Sequence, residues 1–253
     1  MDKVKVGVAG FGVIGQRLAD GVAMQKDMEL VGVADVAPTL AVKALVERGM
    51  PYALYAAVPG AVEVLTDAGV PVAGTFDELL DNVDIMLDST SAGIGAKNKQ
   101  LYEQHGLKAV FQGGEAGDVA DVFFHGYANY AKGVGADYLK LTSCNTTGLI
   151  RAVDCLDKMA GIEKVAITII RRVADPGDTV RGLVDLLLLE PIPNHQAVDL
   201  MNIMPHVDAT GLLVHTPVTH GHIITLVATP KRKVTKEEVI DAFRAHPRIR
   251  VVK

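Results

Sequence analysis

Ser143-Cys144-Asn145-Thr146-Thr147-Gly148 is the segment of this chain best suited to covalent chemistry. It lies between a strand-like run and an amphipathic stretch, so Cys144 is expected at a helix N-terminus. The positive end of the backbone dipole there stabilises an anionic nucleophile, and Asn145, Thr146 and Thr147 offer hydrogen bonds rather than apolar packing. Cys155 is the internal control: beside Val153 and Leu156 in mid-helix, it reads as a small buried hydrophobe. A thiolate nucleophile needs a base, and His220-x-His222 opens an apolar strand-like run in which residues two apart share a face. Either imidazole could serve, and each could instead be a satisfied core histidine. Arg171 and Arg172 close another long apolar run ahead of Asp175-Pro176-Gly177-Asp178. Two guanidinium forks there suit an anion, with salt bridges to Asp175 or Asp178 as the competing reading.

The second chemistry-bearing segment is Gly10-Phe11-Gly12-Val13-Ile14-Gly15, which follows a strand and opens a helix, with Asp35 closing the next strand twenty residues after the last glycine. In that context Gly10 makes the tight turn, Gly12 lets backbone approach a pyrophosphate, and Gly15 allows close helix–strand packing. Asp35 would accept from the adenosine ribose hydroxyls and repel a 2′-phosphate. NAD is therefore expected over NADP. A strand-end carboxylate that merely caps a turn is the alternative for Asp35.

The elements that must position these groups follow from hydrophobic rhythm. Strands are expected at Val4 to Ala9, Leu30 to Ala34, Val83 to Leu87, Lys108 to Phe111 and Leu139 to Thr142. Helices are expected at Ile14 to Ala23 and Lys97 to Gln104, with further helix-like segments between Thr39 and Thr75. This is the βαβ alternation of a parallel sheet. The rhythm then changes to a helix after Thr146, a long run from Val165 to Ile170, and strand-like pieces at Leu212 to Val218, Ile223 to Ala228 and Ile249 to Val252. Thr235 and Glu238 form a capping box ahead of a helix over Val239 to Ala245, stopped by Pro247. The fold class is α/β: a Rossmann dinucleotide-binding domain over residues 1–143, then an α+β catalytic domain over 144–253 with a mostly antiparallel sheet.

Composition narrows the function classes. With 49% apolar and 22% charged residues the chain has the makings of a core, and a net charge of −5 without a basic block argues against nucleic acid or an anionic membrane as partner. No run approaches the roughly 18 apolar residues of a membrane span, so a soluble cytoplasmic protein is expected. Two cysteines eleven positions apart give no zinc pattern and read as free thiols, and no metal is expected.

Together these segments resemble the archaeal-type (class II) glyceraldehyde-3-phosphate dehydrogenases along nearly the whole chain. The resemblance is carried by Gly93-Ile-Gly-Ala-Lys-Asn-Lys, Phe111-Gln-Gly-Gly-Glu, Ala128-Asn-Tyr, Ser143-Cys-Asn-Thr-Thr-Gly-Leu and Arg171-Arg-x-Ala-Asp-Pro-x-Asp. It implies that Cys144 forms a thiohemiacetal with glyceraldehyde 3-phosphate, that hydride passes to NAD(P), and that inorganic phosphate releases 1,3-bisphosphoglycerate. By the same resemblance His220 is the base, with His222 its neighbour in the motif. Arg171, Arg172, His195 and Thr146 gather substrate and phosphate, Asn145 orients the site, Gly113 joins the cofactor loop, and the protein is a homotetramer.

The chain departs from the family pattern in four places. Asp35 and Ala37 stand where the family often has Lys or Thr and an Arg that favour NADP. Gln196 replaces the second histidine of a phosphate-loop pair, and the residues before His220 are shortened. Family members also continue past the position of Lys253, so the catalytic domain is expected to be incomplete. Another Cys-dependent semialdehyde dehydrogenase and a non-catalytic NAD-binding remnant are the alternatives.

Overall fold

The computed structural model describes residues 2–49, 52–112, 114–172, 187–218 and 221–252. His220, Gly113 and the Asp175 to Asp178 turn, all singled out above, lie outside them. The chain divides into two compact units, one of Met1–Phe123 with Gly133–Leu141 and the other of Phe124–Lys132 with Thr142–Lys253.

The first unit alternates strand and helix: β1 (Val4–Ala9), α1 (Val13–Ala23), β2 (Met28–Asp35), α2 (Leu40–Glu47), β3 (Ala53–Ala56), α3 (Ala61–Asp67), β4 (Gly74–Thr75), α4 (Phe76–Leu80), β5 (Ile85–Asp88), α5 (Ile94–Gln104) and β6 (Lys108–Phe111). Then come β7 (Val122–Phe124) and β8 (Tyr138–Leu141), while α6 (Tyr130–Gly133) between them belongs mostly to the second unit. The sheet order is β4-β3-β2-β1-β5-β6-β8-β7, and the strands from β4 to β8 run parallel. Neighbouring residues along a strand point to opposite faces. Val8 and Val33 enter one apolar cluster with Val42, Leu54 and Leu65, whereas Ala9 and Ala34 enter another with Leu79, Tyr102 and Phe111. Both faces are therefore covered, as a parallel sheet requires, and the strand order reverses between β1 and β5. Ligands of such sheets bind at the carboxyl ends of the strands at that reversal. Two short strands, β3 and β4, lie among the helix-like segments expected between Thr39 and Thr75. Ala-Leu-Tyr-Ala is too short to show a period, and pairing with β2 makes it a strand.

The second unit contains α7 (Cys144–Ala160), β9 (Ile162–Arg172), β10 (Leu188–Leu189), α8 (His195–Ile203), β11 (Asp208–Thr216), β12 (His222–Pro230) and α9 (Lys236–Ala245). Its sheet, ordered β10-β11-β9-β12, has two antiparallel pairings, β10–β11 and β9–β12. The β9–β11 pairing is parallel, because α8 lies in the connection between them and returns the chain to the same direction. Helix α7 starts at its Ser143 cap and buries Leu149, Ile150, Val153 and Leu156, a stripe of one helical period. The Thr235–Glu238 capping box forms as expected. Ile249 to Val252 does not form a strand: β-branched residues favour extended backbone, but no strand is paired with them.

Candidate active site

In the first unit, the turn after β1 meets three separate steric demands. Gly10 has φ of +82°, where an L side chain is strained, and a Cβ on it would also sit 3.1 Å from the backbone of Ser89 and Thr90. A Cβ on Gly15 would lie 1.8 Å from the Gly10 carbonyl oxygen, so helix α1 can approach its own turn only with glycine there. A Cβ on Gly12 would meet nothing within 4 Å. This glycine is not needed for packing, and its position is open. It is also the cap of α1, which has no side-chain acceptor for the first-turn N–H groups. An open glycine-lined turn feeding a helix N-terminus fits the pyrophosphate of a dinucleotide. Phe11 is buried in the core, while Val13 and Ile14 are exposed on the first turn of α1.

Asp35 reaches back to this turn. Its Oδ2 accepts from the Phe11 N–H at 2.8 Å, and its Oδ1 accepts from Val36 at 2.7 Å and Ala37 at 3.3 Å. The turn-capping alternative for Asp35 thus describes part of its work. Each carboxylate oxygen can accept about two hydrogen bonds, which leaves Oδ2 capacity for a ribose hydroxyl. Across the strand reversal, Ser89 Oγ donates to the Ala9 and Gly10 carbonyls at 3.1 and 2.8 Å. Behind it the buried Asp88 accepts from the Tyr102 hydroxyl at 2.7 Å, Asn98 Nδ2 at 2.9 Å and the Thr90 hydroxyl at 2.5 Å. Burial, and then the Asp88 charge, push the Tyr102 phenol far above its ordinary value, so it stays a donor. Glu115 accepts from the Gly95 N–H at 2.9 Å, which explains in structural terms the pairing of the Gly93 and Phe111 motifs.

In the second unit, connectivity sets the geometry of the thiol. Helix α7 of 17 residues is about 25 Å long, and β9 of 11 residues, which follows it after Gly161, spans about 35 Å. The bond from the Thr146 hydroxyl to Asp199, one turn into α8, sets the start of α7 at the end of the unit where α8 opens with His195. Cys144 is the first residue of α7 and is exposed. The Ser143 side chain caps the Thr146 N–H at 3.3 Å. Asn145 and Thr146 are buried, and the Thr146 hydroxyl is committed to Ser143 Oγ at 2.8 Å and to Asp199 Oδ2 at 3.3 Å. Thr146 was expected to contact phosphate; its position is that of a support beneath the cysteine turn. Cys155 is buried, as its neighbours predict, with Sγ donating to the Ala242 carbonyl at 3.1 Å. Burial raises its pKa, which keeps it a thiol.

At the end of β9, register brings together residues far apart in sequence. Arg171 pairs with His215 on β11 and with His222 on β12, so the three side chains share the face covered by α7 and α8. Arg172 alternates to the opposite face opposite Thr216. The two guanidinium forks at this strand end therefore start from opposite faces of the sheet. Burial, and then the charges of Arg172 and Arg171, lower the His222 pKa, favouring a neutral imidazole that can take a proton. Its Nδ1 and the Arg171 Nε are buried with no partner among the described residues. His195 is the first residue of α8, with Nδ1 3.4 Å from Glu190. Gln196 is fully buried, and its amide atoms lack a partner among the described residues.

Sequence reasoning missed Glu190, His215 and His125. The first two carry no motif and meet only through sheet register. His125 is buried; its Nε2 is 3.3 Å from the Thr147 carbonyl, and its Nδ1 faces the N–H groups of Tyr127 at 3.4 Å and Ala128 at 3.3 Å. It pins the 125–129 turn to the first turn of α7 as a neutral ring, and burial lowers its pKa accordingly. The sign follows from linkage: a group with a depressed folded-state pKa is protonated first in the unfolded chain. Its stability contribution is complete above the unfolded value of 6.5 and is lost as pH falls through the folded one. His222 and His246 are shifted the same way. The unfolding free energy from urea titrations is expected to fall on acidification below about pH 6.5, by up to about 1.4 kcal/mol per pH unit for the buried His125 and by less for the more exposed rings. His125→Gln should flatten that slope, and an unchanged slope would show that His125 does not contribute.

Among the described residues no group of three or more His, Cys, Asp or Glu side chains is placed to hold a metal, and no helix is long and apolar enough to cross a membrane.

Comparison with known proteins adds the following. Residues 143–253 match a family described as glyceraldehyde 3-phosphate dehydrogenase, C-terminal domain. A glyceraldehyde-3-phosphate dehydrogenase of Hyperthermus butylicus is 41% identical over 252 residues, covering 98% of this chain and 72% of that protein. One of Thermococcus kodakarensis is 42% identical over 249 residues, covering 98% and 73%. Among solved structures, aspartate semialdehyde dehydrogenase II from Vibrio cholerae superposes with a TM-score of 0.64 at 13% identity, over 97% of this chain and 80% of that one, a likeness of fold.

Proposed function

Because the chain belongs to the glyceraldehyde-3-phosphate dehydrogenase family, we propose that it catalyses the phosphorylating oxidation of glyceraldehyde 3-phosphate to 1,3-bisphosphoglycerate with Cys144 as nucleophile. The observation that carries this is the exposed thiol at the first residue of α7, at the same end of its unit as Arg171, His195 and His222. The Cys144 sulfur adds to the aldehyde carbon. A base from the 220–222 segment manages the hydroxyl proton of the thiohemiacetal; His220 is the base the family motif implies, and His222 is a neutral imidazole beside it. Arg171 and His195 hold the substrate phosphate or the attacking inorganic phosphate, Arg172 adds positive potential at the strand end, and Asn145 and Thr146 keep the cysteine turn in place. The bound nicotinamide supplies hydride acceptance. The resulting thioester on Cys144 is cleaved by inorganic phosphate, which takes the acyl group and returns the thiolate.

The dinucleotide would be held by the Gly10 to Gly15 turn, the first turn of α1 and Asp35. The open position at Gly12 supports this, and the carboxylate at residue 35 favours NAD over NADP. Asp35→Ala is expected to narrow the NAD preference by about tenfold or more, read from kcat/KM with each cofactor. An unchanged ratio would mean that the carboxylate does not face the ribose. For the function itself, the protein is mixed with glyceraldehyde 3-phosphate, inorganic phosphate and NAD, and the absorbance of reduced cofactor is followed. Phosphate-dependent reduction is expected. No reduction by protein that still binds NAD would overturn the reading.

A further inference from the structure

At the end of the second sheet stands a carboxylate that the proposed chemistry does not use. Glu190 follows β10, and its backbone N–H is bonded to the Leu213 carbonyl at 3.0 Å. One carboxylate oxygen, Oε1, lies 2.7 Å from His215 Nε2, and the other, Oε2, lies 3.4 Å from His195 Nδ1. The two imidazoles belong to different elements, the end of β11 and the first residue of α8. His215 in turn sits directly across the sheet from Arg171. His215 is 14% exposed and Glu190 29%, against 48% for His195. The contacts thus run from a half-buried interior pair outward to a histidine that meets solvent.

A carboxylate beside a site for anions opposes its ligand unless its charge is engaged elsewhere. Here it accepts from one imidazole and contacts a second, and removing it would leave both rings without that acceptor. The close packing beneath is consistent with a fixed arrangement: Asn194 caps α8 by accepting from Ala197 at 2.9 Å, and a Cβ on Gly211 of β11 would come within 2.9 Å of the Asn194 amide. Helix start and strand are thus held at a set separation that Glu190 spans.

We propose that Glu190 and His215 are positioning residues of the anion site. Glu190 fixes His195 against the end of β11, and His215 holds that carboxylate beside Arg171, so that imidazole and guanidinium converge on one phosphate group. This rests on the reading of Arg171 and His195 as phosphate ligands. Two opposite outcomes separate a positioning role from a mere opposing charge. If Glu190 positions, Glu190→Ala raises the KM for inorganic phosphate about tenfold with kcat within about threefold. Glu190→Gln, which keeps an acceptor oxygen without the charge, recovers most of the loss. If Glu190 only repels the ligand, both variants tighten phosphate binding.

The test measures kcat and KM for inorganic phosphate in the full chain and in Glu190→Ala, Glu190→Gln and His215→Gln, together with phosphate affinity by calorimetry. A weakened alanine variant, a rescued glutamine variant and a His215→Gln variant weakened like the alanine one would support the proposal. Tighter binding in both Glu190 variants, or no change in either, would overturn it. Should Glu190→Ala fail to fold, Glu190→Gln and His215→Gln still decide: near-wild-type values in the first with a raised phosphate KM in the second support the proposal, and unchanged values in both overturn it. A wild-type protein that neither binds phosphate nor turns over would instead remove the anion site, and the proposal with it.

Discussion

Cys144→Ser is expected to lower kcat/KM for aldehyde oxidation by roughly a thousandfold or more, with NAD affinity unchanged within a few-fold. The substitution exchanges sulfur for oxygen in nearly the same volume at an exposed position, so packing is not at stake. The Ser143 cap, the buried Thr146 hydroxyl and its bond to Asp199 all remain. What is lost is the sulfur nucleophile, since a serine hydroxyl gives up its proton far less readily than a thiol does. Cys155→Ser supplies the control: a buried thiol bonded to the Ala242 carbonyl should change stability modestly and leave the rate alone. A Cys144→Ser protein that kept a tenth of its rate would remove the thiol from the mechanism.

The second large effect separates packing from binding in the glycine turn. Gly15→Ala places a methyl group 1.8 Å from the Gly10 carbonyl oxygen, an overlap with backbone that no side-chain motion relieves. Helix α1 must then shift, at a cost of about 1–3 kcal/mol or more, and both melting temperature and dinucleotide affinity should fall. Gly12→Ala places its methyl group in open space, at a φ of −74° that alanine adopts without strain. Its melting temperature should match the wild type, while NAD affinity drops at least about tenfold because the methyl group occupies the approach of the pyrophosphate. Calorimetric NAD titration and thermal unfolding of the two variants check the contrast. Undiminished NAD affinity in Gly12→Ala would mean that no phosphate passes over that residue.

What could be read from the sequence was what local chemistry determines. The β1 turn, the amphipathic helix behind Cys144 and the capping box at Thr235 depend on residues a few positions apart, and all three form. The rest came from interactions that a linear pattern does not contain. β3 is a strand because β2 is beside it, and Ile249 to Val252 is not one because nothing pairs with it. The parallel β9–β11 pairing depends on α8 lying in the connection.

The candidate site divides in the same way. The place of Cys144 at a helix start could be read from its neighbours, whereas the burial of Thr146, polar and close to it, could not. Arg171 and Arg172 are neighbours in sequence, and only strand pairing shows that they start from opposite faces of the sheet. Glu190 and His215 are twenty-five residues apart, and only the sheet brings them together. His125 was hidden for the same reason, its partner carbonyl lying twenty-two residues away.

The most direct test is a single-turnover experiment without phosphate. Protein is mixed with glyceraldehyde 3-phosphate and NAD, quenched, digested and weighed by mass spectrometry, with reduced cofactor followed in parallel. The expected result is a burst of about one reduced cofactor per active chain, an acyl group on the peptide carrying Cys144, and its loss when inorganic phosphate is added. Cofactor reduction with Cys144 unmodified, or an acyl group found on Cys155 instead, would contradict the account.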